Sequence, residues 1–253
     1  MNYIGIDIGS TASKVAIMNQ EGKLVHCFVQ PTGWNSKITS AQIKESLMGM
    51  NIETDDAKIV ATGYGRISVD YANQIVTEIS CHGKGGGYLF GKDCCIIDVG
   101  GQDTKFIQLQ NDKVVDFLMN DKCAAGTGKF IEVMANRFGV TIDELFELAQ
   151  RGTAIPISSL CTVFAESEII NYMGEGKSIE DLAAGVVDSV AQKVATLVMK
   201  RPVQCDLILT GGLSDSAYFV TQLSRKLKQP VVMIENGRFA GAIGAALLAA
   251  KEK

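Results

Sequence analysis

Cys123 stands directly ahead of a glycine-rich turn in "NDKCAAGTGKF" (Asn120–Phe130), and Cys161 opens "CTVFAESEII". Both precede helix-like stretches. A helix N-terminus carries partial positive charge, which lowers a thiol pKa and equally favours a thiolate-ligated, negatively charged cluster. Two thiolates are too few for a four-iron cubane, which takes four. A two-fold dimer supplies the count if each copy gives two and the cluster sits on the axis. Spacing alone leaves open the alternative of two structural cysteines.

A second group of residues suits phosphate. "DIGSTASK" (Asp7–Lys14) and "DVGGQDTK" (Asp98–Lys105) each place a glycine after a strand-like run. Gly9 and Gly100 let backbone N–H groups approach phosphate oxygens with no Cβ in the way. Ser10, Thr11 and Ser13 add hydroxyl donors, and Lys14 is a point charge for phosphate. Asp7 and Asp98 suit Mg²⁺ held through water. Gln102 or Asp103 would orient an attacking water. The chain has no G-x-x-x-x-G-K-[ST], and no G-x-G-x-x-G opens a helix after a strand, so neither a P-loop nor a dinucleotide fingerprint is expected.

The elements that must position these residues repeat. At a constant offset of 91, Asp7 falls on Asp98, Gly9 on Gly100 and Lys14 on Lys105. Each copy reads as strand, tight turn, strand, turn, strand. A later echo sets "KIVATGYG" against "DLILTGGL", matching Thr62-Gly63 with Thr210-Gly211. Between them lie helical patterns: "ITSAQIKESLMGM", "GTGKFIEVMANRFGV" with Ile131, Met134 and Phe138 on one face, and "TIDELFELAQRG" with a capping-box spacing from Thr141 to Glu144. "SIEDLAAGVVDSVAQKVATLVMKR" reads as a long amphipathic helix opening at Ser178. The fold class is α/β with two related domains.

Composition narrows the function classes. The chain has 253 residues, 47% hydrophobic and 21% charged, and a net charge of −4. No nucleic-acid partner is suggested. The run Ala240–Ala250 is too short to span a bilayer, so no membrane partner is expected either. The start "MNYIGIDIGS" lacks a basic n-region, and a cytoplasmic location is expected. There the seven cysteines should not form disulfides. Cys27, Cys94, Cys95 and Cys205 read as small core residues, and Cys81 as mostly structural. "CHGKGGGY" (Cys81–Tyr88) reads as a flexible turn, Trp34 as a loop anchor, and "ATGYGR" as a hinge or a docking turn.

Paired D-x-G hairpins with a late T-G-G resemble the actin, sugar-kinase and Hsp70-type ATPases. That resemblance implies two duplicated RNase H-like domains with ATP or ADP in a cleft between them. The hairpins, Gly9 to Lys14 (including Ala12) and Gly100, Gly101 and Gln102, would hold the phosphates. Gly126, Thr127, Gly128, Gly211, Gly212 and Gly241 would line the nucleoside. Asp7, Asp98, Gln102 and Asp103 would be catalytic. The expected domains are 1–92, with a C-terminal helix at about 240–253 packing back on it, and 93–239.

The full motif set is more specific. "MNDKCAAGTGKF", "SSLCTVFAESE", "IDIGSTASK", "ATGYGR", "EISCHG" and "IDVGGQDTK" together resemble the activator ATPases of 2-hydroxyacyl-CoA dehydratases, over essentially the whole chain. That resemblance implies a homodimer with one [4Fe–4S] cluster per dimer, held by Cys123 and Cys161 of each copy. The implied activity passes one low-potential electron to a partner iron–sulfur enzyme, a dehydratase or a related cluster-bearing reductase. Ferredoxin or flavodoxin would be the donor. Lys129 stands where many relatives have arginine, which preserves charge. A redox-inert kinase or chaperone-type ATPase of the same fold is the competing expectation.

Overall fold

The structure is a computed structural model that describes residues 1–121, 123–157 and 161–251. Lys122, in the stretch ahead of the glycine turn, lies outside the described residues. So do Ser158, Ser159 and Leu160 ahead of Cys161, and the last two residues of the expected C-terminal helix. The chain runs β1 (Asn2–Ile8), β2 (Ala12–Met18), β3 (Leu24–Pro31), α1 (Ser36–Gly49), β4 (Ala57–Thr62), β5 (Gln74–Ile75) and α2 (Glu78–Phe90). It continues through β6 (Cys95–Val99), β7 (Thr104–Gln110), β8 (Lys113–Asn120), α3 (Gly128–Phe138), α4 (Ile142–Arg151) and α5 (Thr162–Gly174). It closes with α6 (Ile179–Val198), β9 (Leu207–Gly211), α7 (Ala217–Leu227), β10 (Val231–Met233) and α8 (Ala240–Ala249).

Two five-stranded sheets have orders β3-β2-β1-β4-β5 and β10-β9-β6-β7-β8. Read from the other edge, the second is β8-β7-β6-β9-β10. Each is therefore a three-strand meander extended past its first strand by two later ones. The duplicated α/β plan expected from the repeat is the one the chain adopts. Two compact units are present: Met1–Ile96, Ile107–Phe117 and Ile234–Lys253 form one, and Ile97–Phe106 with Leu118–Met233 the other. Among the described residues no helix is long and apolar enough to cross a membrane.

In the first unit, strand periodicity decides what each residue of β1 meets. Ile4, Ile6 and Ile8 join Ile43 and Leu47 of α1 and Val15, Ile17 and Ile59 in one core. Burying each such side chain contributes about 1.5–3 kcal/mol. The opposite face carries Gly5 and Asp7, and α8 lies there. A Cβ on Gly5 would come within 1.8 Å of the Ala242 carbonyl oxygen, so only glycine permits this approach. β1 pairs antiparallel with β2, setting Asp7 against Lys14, and parallel with β4, setting Asp7 against Thr62.

The glycine-rich stretch Cys81–Tyr88 is helical, within α2, rather than a flexible turn. Packing overrides the low helix propensity of its glycines. A Cβ on Gly85 would lie 1.9 Å from the Ala240 carbonyl oxygen, and one on Gly244 would lie 1.8 Å from that of Cys81. α2 and α8 thus meet backbone to backbone, and the small residues of "AGAIGAALLAA" are the other half of that contact. Trp34 is 89% exposed, so it does not anchor its loop against the described residues. Cys95 and Cys205 are disulfide-bonded, against the expectation that no cysteine would be. The strands they open and precede, β6 and β9, are sheet neighbours, which the compartment argument did not weigh.

In the second unit α6 is the hub, with Val186, Val187, Val190, Ala191 and Val194 buried. α4 packs on it, started by the reciprocal cap between Thr141 and Glu144. Ile131 and Met134 of α3 are buried, and Phe138 is half-buried.

Candidate nucleotide turns and thiol pair

Asp7 and Asp98 end corresponding strands and are 6% and 1% exposed. Each is met by the same device. Gly63 follows β4 and Gly211 ends β9, and both have φ of +87°. A Cβ on Gly63 would lie 2.5 Å from Asp7 Oδ1 and 2.4 Å from the Ile8 carbonyl oxygen. One on Gly211 would lie 2.9 Å from Asp98 Oδ1 and 2.4 Å from the Val99 carbonyl oxygen. The amides of Gly65 and Gly212 donate to those carbonyls at 2.9 and 3.0 Å. The Thr-Gly echo is therefore a left-handed glycine that lets a second strand's end pass close beside an aspartate. Two further sequence signals join it: Thr210 Oγ1 donates to Asp98 Oδ1 at 2.9 Å, and Arg66 donates to the Gly63 carbonyl.

The first turn is stiffened from β3. Ser13 Oγ and Thr32 Oγ1 are hydrogen-bonded at 2.8 Å, and Thr32 donates to the Gly9 carbonyl at 2.7 Å. Ser13 is fully buried and spent on this contact. Thr11 is exposed, while Ser10, Ala12 and Lys14 are half-buried. On the other side of Asp7, a Cβ on Gly241 would lie 2.7 Å from Asp7 Oδ2 and 2.8 Å from His82 Nε2. α2, α8 and β1 thus bring His82, Gly241 and Asp7 to one place. Cys81, next along α2, has its thiol pushed up to about 12. Burial is the main cause; the Thr62 hydroxyl opposes it, and the charges of Asp7 and Glu78 add to it. It remains a neutral thiol at physiological pH.

The second turn is stiffened by the glycine-threonine-glycine stretch. Gly128 and Lys129 amides each donate at 2.9 Å, to the carbonyls of Gly100 and Gly101. Thr127 Oγ1 donates to the Gly101 carbonyl at 3.1 Å, and Thr104 Oγ1 to that of Gly126 at 2.6 Å. Gly128 packs with its Cα on Gly100, where a Cβ would sit 3.1 Å from the carbonyl oxygen. The first amides of α3 are therefore engaged by the aspartate turn itself. Gln102 is exposed at the tip, and Gly212 is exposed beside β9. Asp103 is buried and paired with Lys105. The repeat aligns Lys105 with Lys14, and nothing in its local sequence marks the buried pairing it makes.

Cys123 and Cys161 belong to this same unit. Both are exposed and neither is disulfide-bonded. Cys123 precedes the short turn Ala124–Gly126, and Cys161 is the N-cap of α5; neither uses its side chain to cap. α3 and α5 are tied by an ion pair between Arg137 and Glu166. Beside Cys161, Val163 and Phe164 are 66% and 70% exposed. Among the described residues no group of three or more His, Cys, Asp or Glu gathers to hold a metal. Two accessible thiols, one ahead of a short turn and one at the start of α5, are donors of the kind that ligate iron.

The family model described as the BadF/BadG/BcrA/BcrD ATPase family matches residues 4–249. The activator of lactoyl-CoA dehydratase from Anaerotignum propionicum is 40% identical, over 98% of this chain and 97% of that protein. The (R)-2-hydroxyglutaryl-CoA dehydratase component A from Acidaminococcus fermentans has a TM-score of 0.93 at 37% identity, covering 99% of this chain and 98% of that one. The activator of 2-hydroxyisocaproyl-CoA dehydratase from Clostridium difficile, solved with bound ADPNP, has a TM-score of 0.92 at 37% identity, covering 99% and 94%. The architecture is that of the duplicated actin, sugar-kinase and Hsp70-type fold.

Proposed function

The chain belongs to the BadF/BadG/BcrA/BcrD ATPase family, which includes activators of 2-hydroxyacyl-CoA dehydratases, and from that premise we propose that it is an ATP-dependent electron-transfer activator. Its acceptor is a cluster-bearing dehydratase or a related reductase, and its donor a ferredoxin or flavodoxin. The observation that carries this reading is the pair of exposed, unbridged cysteines, Cys123 ahead of a short turn and Cys161 at the start of α5, in the unit that also holds the Asp98 turn. A phosphate machine of this fold has no need of them.

Cys123 and Cys161 of two copies would hold the cluster, which would supply one-electron chemistry at low potential. The donor loses that electron and the acceptor gains it, while ATP and water become ADP and phosphate. The residues of this chain do the positioning. Gly9, Gly100 and Gly101 admit phosphate oxygens to backbone amides, and Lys14 adds positive charge. Asp7 and Asp98 would hold Mg²⁺, which would neutralise phosphate charge. Gln102 or Asp103 orients the water that attacks the terminal phosphate. Gly211, Gly212, Gly241 and the turn Gly126–Gly128 line the nucleoside. The domain boundaries we propose are 1–92 with the returning C-terminal helix, and 93–239.

Phosphate release by the anaerobically purified protein tests the nucleotide half of this reading. Asp98→Asn keeps the hydrogen bond from Thr210 and removes the charge. It is expected to lower kcat for ATP hydrolysis by about 10²–10³ with a small change in KM, the signature of an interaction made in the transition state. An Asp98→Asn protein that hydrolyses ATP at the parent rate would remove Asp98 from the mechanism.

A further inference from the structure

The second turn contains a buried cation that the phosphate chemistry leaves unused. Lys105 Nζ lies 2.5 Å from Asp103 Oδ1 and 3.4 Å from Asp98 Oδ2. The three side chains are 3%, 5% and 2% exposed. The other oxygen of Asp98 accepts from Thr210. Asp98 is thus held on both oxygens, one by a hydroxyl and one by an ammonium.

The first turn is built otherwise. At the same offset Lys14 corresponds to Lys105, but Ala12 stands where the second copy has Asp103. Lys14 is half-buried, and its ammonium lies 3.6 Å from where a Cβ on Gly9 would be. The duplicated lysine therefore has two fates. In the first copy it reaches the glycine turn as a positive charge. In the second, a carboxylate two residues upstream takes it up. Buried ions persist only when paired and oriented, so the aspartate and lysine of this second pair depend on each other.

We propose that Lys105 is a positioning residue: its ammonium commits Asp103 as its counter-ion and fixes the carboxylate of Asp98, so that Asp98 addresses the divalent cation and exposed Gln102 is left to orient the water. This rests on the nucleotide reading of the turn and decides between the two water-orienting residues named for it. Asp103 then acts through Lys105 and does not touch cation or water.

The test is a titration of Mn²⁺ into the full-length protein with saturating ADP, read by Mn²⁺ electron paramagnetic resonance, beside steady-state ATP hydrolysis. Lys105→Met removes the counter-ion of Asp103 and leaves a second uncompensated carboxylate charge in the turn. The Mn²⁺ Kd is expected to fall about fivefold or more, with kcat down about 100-fold and the KM for ATP within about threefold. The double variant Asp103→Asn with Lys105→Met removes the extra charge, and its Mn²⁺ Kd is expected within about twofold of the parent. That variant carries the test alone should Lys105→Met fail to fold. Unchanged Mn²⁺ affinity in Lys105→Met with only a lowered Tm would make Lys105 structural and overturn the proposal. So would a Mn²⁺ affinity about tenfold weaker in the double variant, since it would make Asp103 itself a cation group. A parent protein that neither binds Mn²⁺ with ADP nor hydrolyses ATP would strike the nucleotide reading, and this inference with it.

Discussion

Replacing Cys123 or Cys161 by alanine is expected to strip the protein of iron. Prepared without oxygen, the parent should carry about two iron atoms per chain, half of one four-iron cluster. Either single variant leaves a shared site with two thiolates in place of four, and iron should fall below about a tenth of the parent value. Folding should survive the change. Both side chains are exposed and neither caps its helix, so each substitution costs within about 0.5 kcal/mol. Nucleotide binding should survive as well, because Gly100 and Gly101 are held by the amides of Gly128 and Lys129 and the hydroxyl of Thr127. Loss of iron with ADP affinity retained is therefore the expected pattern. Two variants that both keep their iron would refute the ligand assignment.

The second large effect concerns nucleotide and electron together. Moving one electron uphill by roughly 200 mV needs about 4–5 kcal/mol, since about 59 mV is a factor of ten for a one-electron couple. ATP supplies this only by binding the electron-donating state more tightly than the resting one. Stopped-flow oxidation of the reduced protein by its acceptor should then run about 10³-fold faster with ATP than with ADP. The path available for this coupling lies within the second unit. The turn that carries Asp98 is hydrogen-bonded to the Gly126–Gly128 turn, and Cys123 is three residues before Gly126. A shift of the phosphate turn would be passed through these hydrogen bonds toward Cys123, the proposed ligand. Equal rates with the two nucleotides would break the coupling.

What the sequence made legible is what repeats. The offset linking Asp7 to Asp98 became two sheets of one topology, and the Thr-Gly echo became two glycines at the same φ beside the two aspartates. These features are local: strand period, turn chemistry and a left-handed glycine are written in neighbouring residues. What was missed depends on partners distant in the chain. "CHGKGGG" looked like a flexible turn because glycine disfavours helix, yet the space is closed by α8, some 150 residues on, where Ala240 and Gly244 leave no room for a Cβ. The alignment of Lys105 with Lys14 carries no sign of the buried ion pair that Lys105 makes. One residue difference, Ala12 against Asp103, changed its partner. The buried hydrogen bond between Ser13 and Thr32, just past the neighbouring strand, is likewise invisible in the local sequence. The redox compartment expected from the sequence argues against disulfides, yet Cys95 and Cys205 are disulfide-bonded, and Cys95 is also the buried core residue its apolar run implies.

The thiol pair gives the account its central claim: two copies of this chain close around one iron–sulfur cluster. Native mass measurement of the oxygen-free protein tests it most directly. The predicted species has twice the mass of the chain plus a single four-iron, four-sulfide cluster, and it dissociates to apo-monomer when iron is chelated. A colourless monomer that stays so after reconstitution with iron and sulfide would contradict the account.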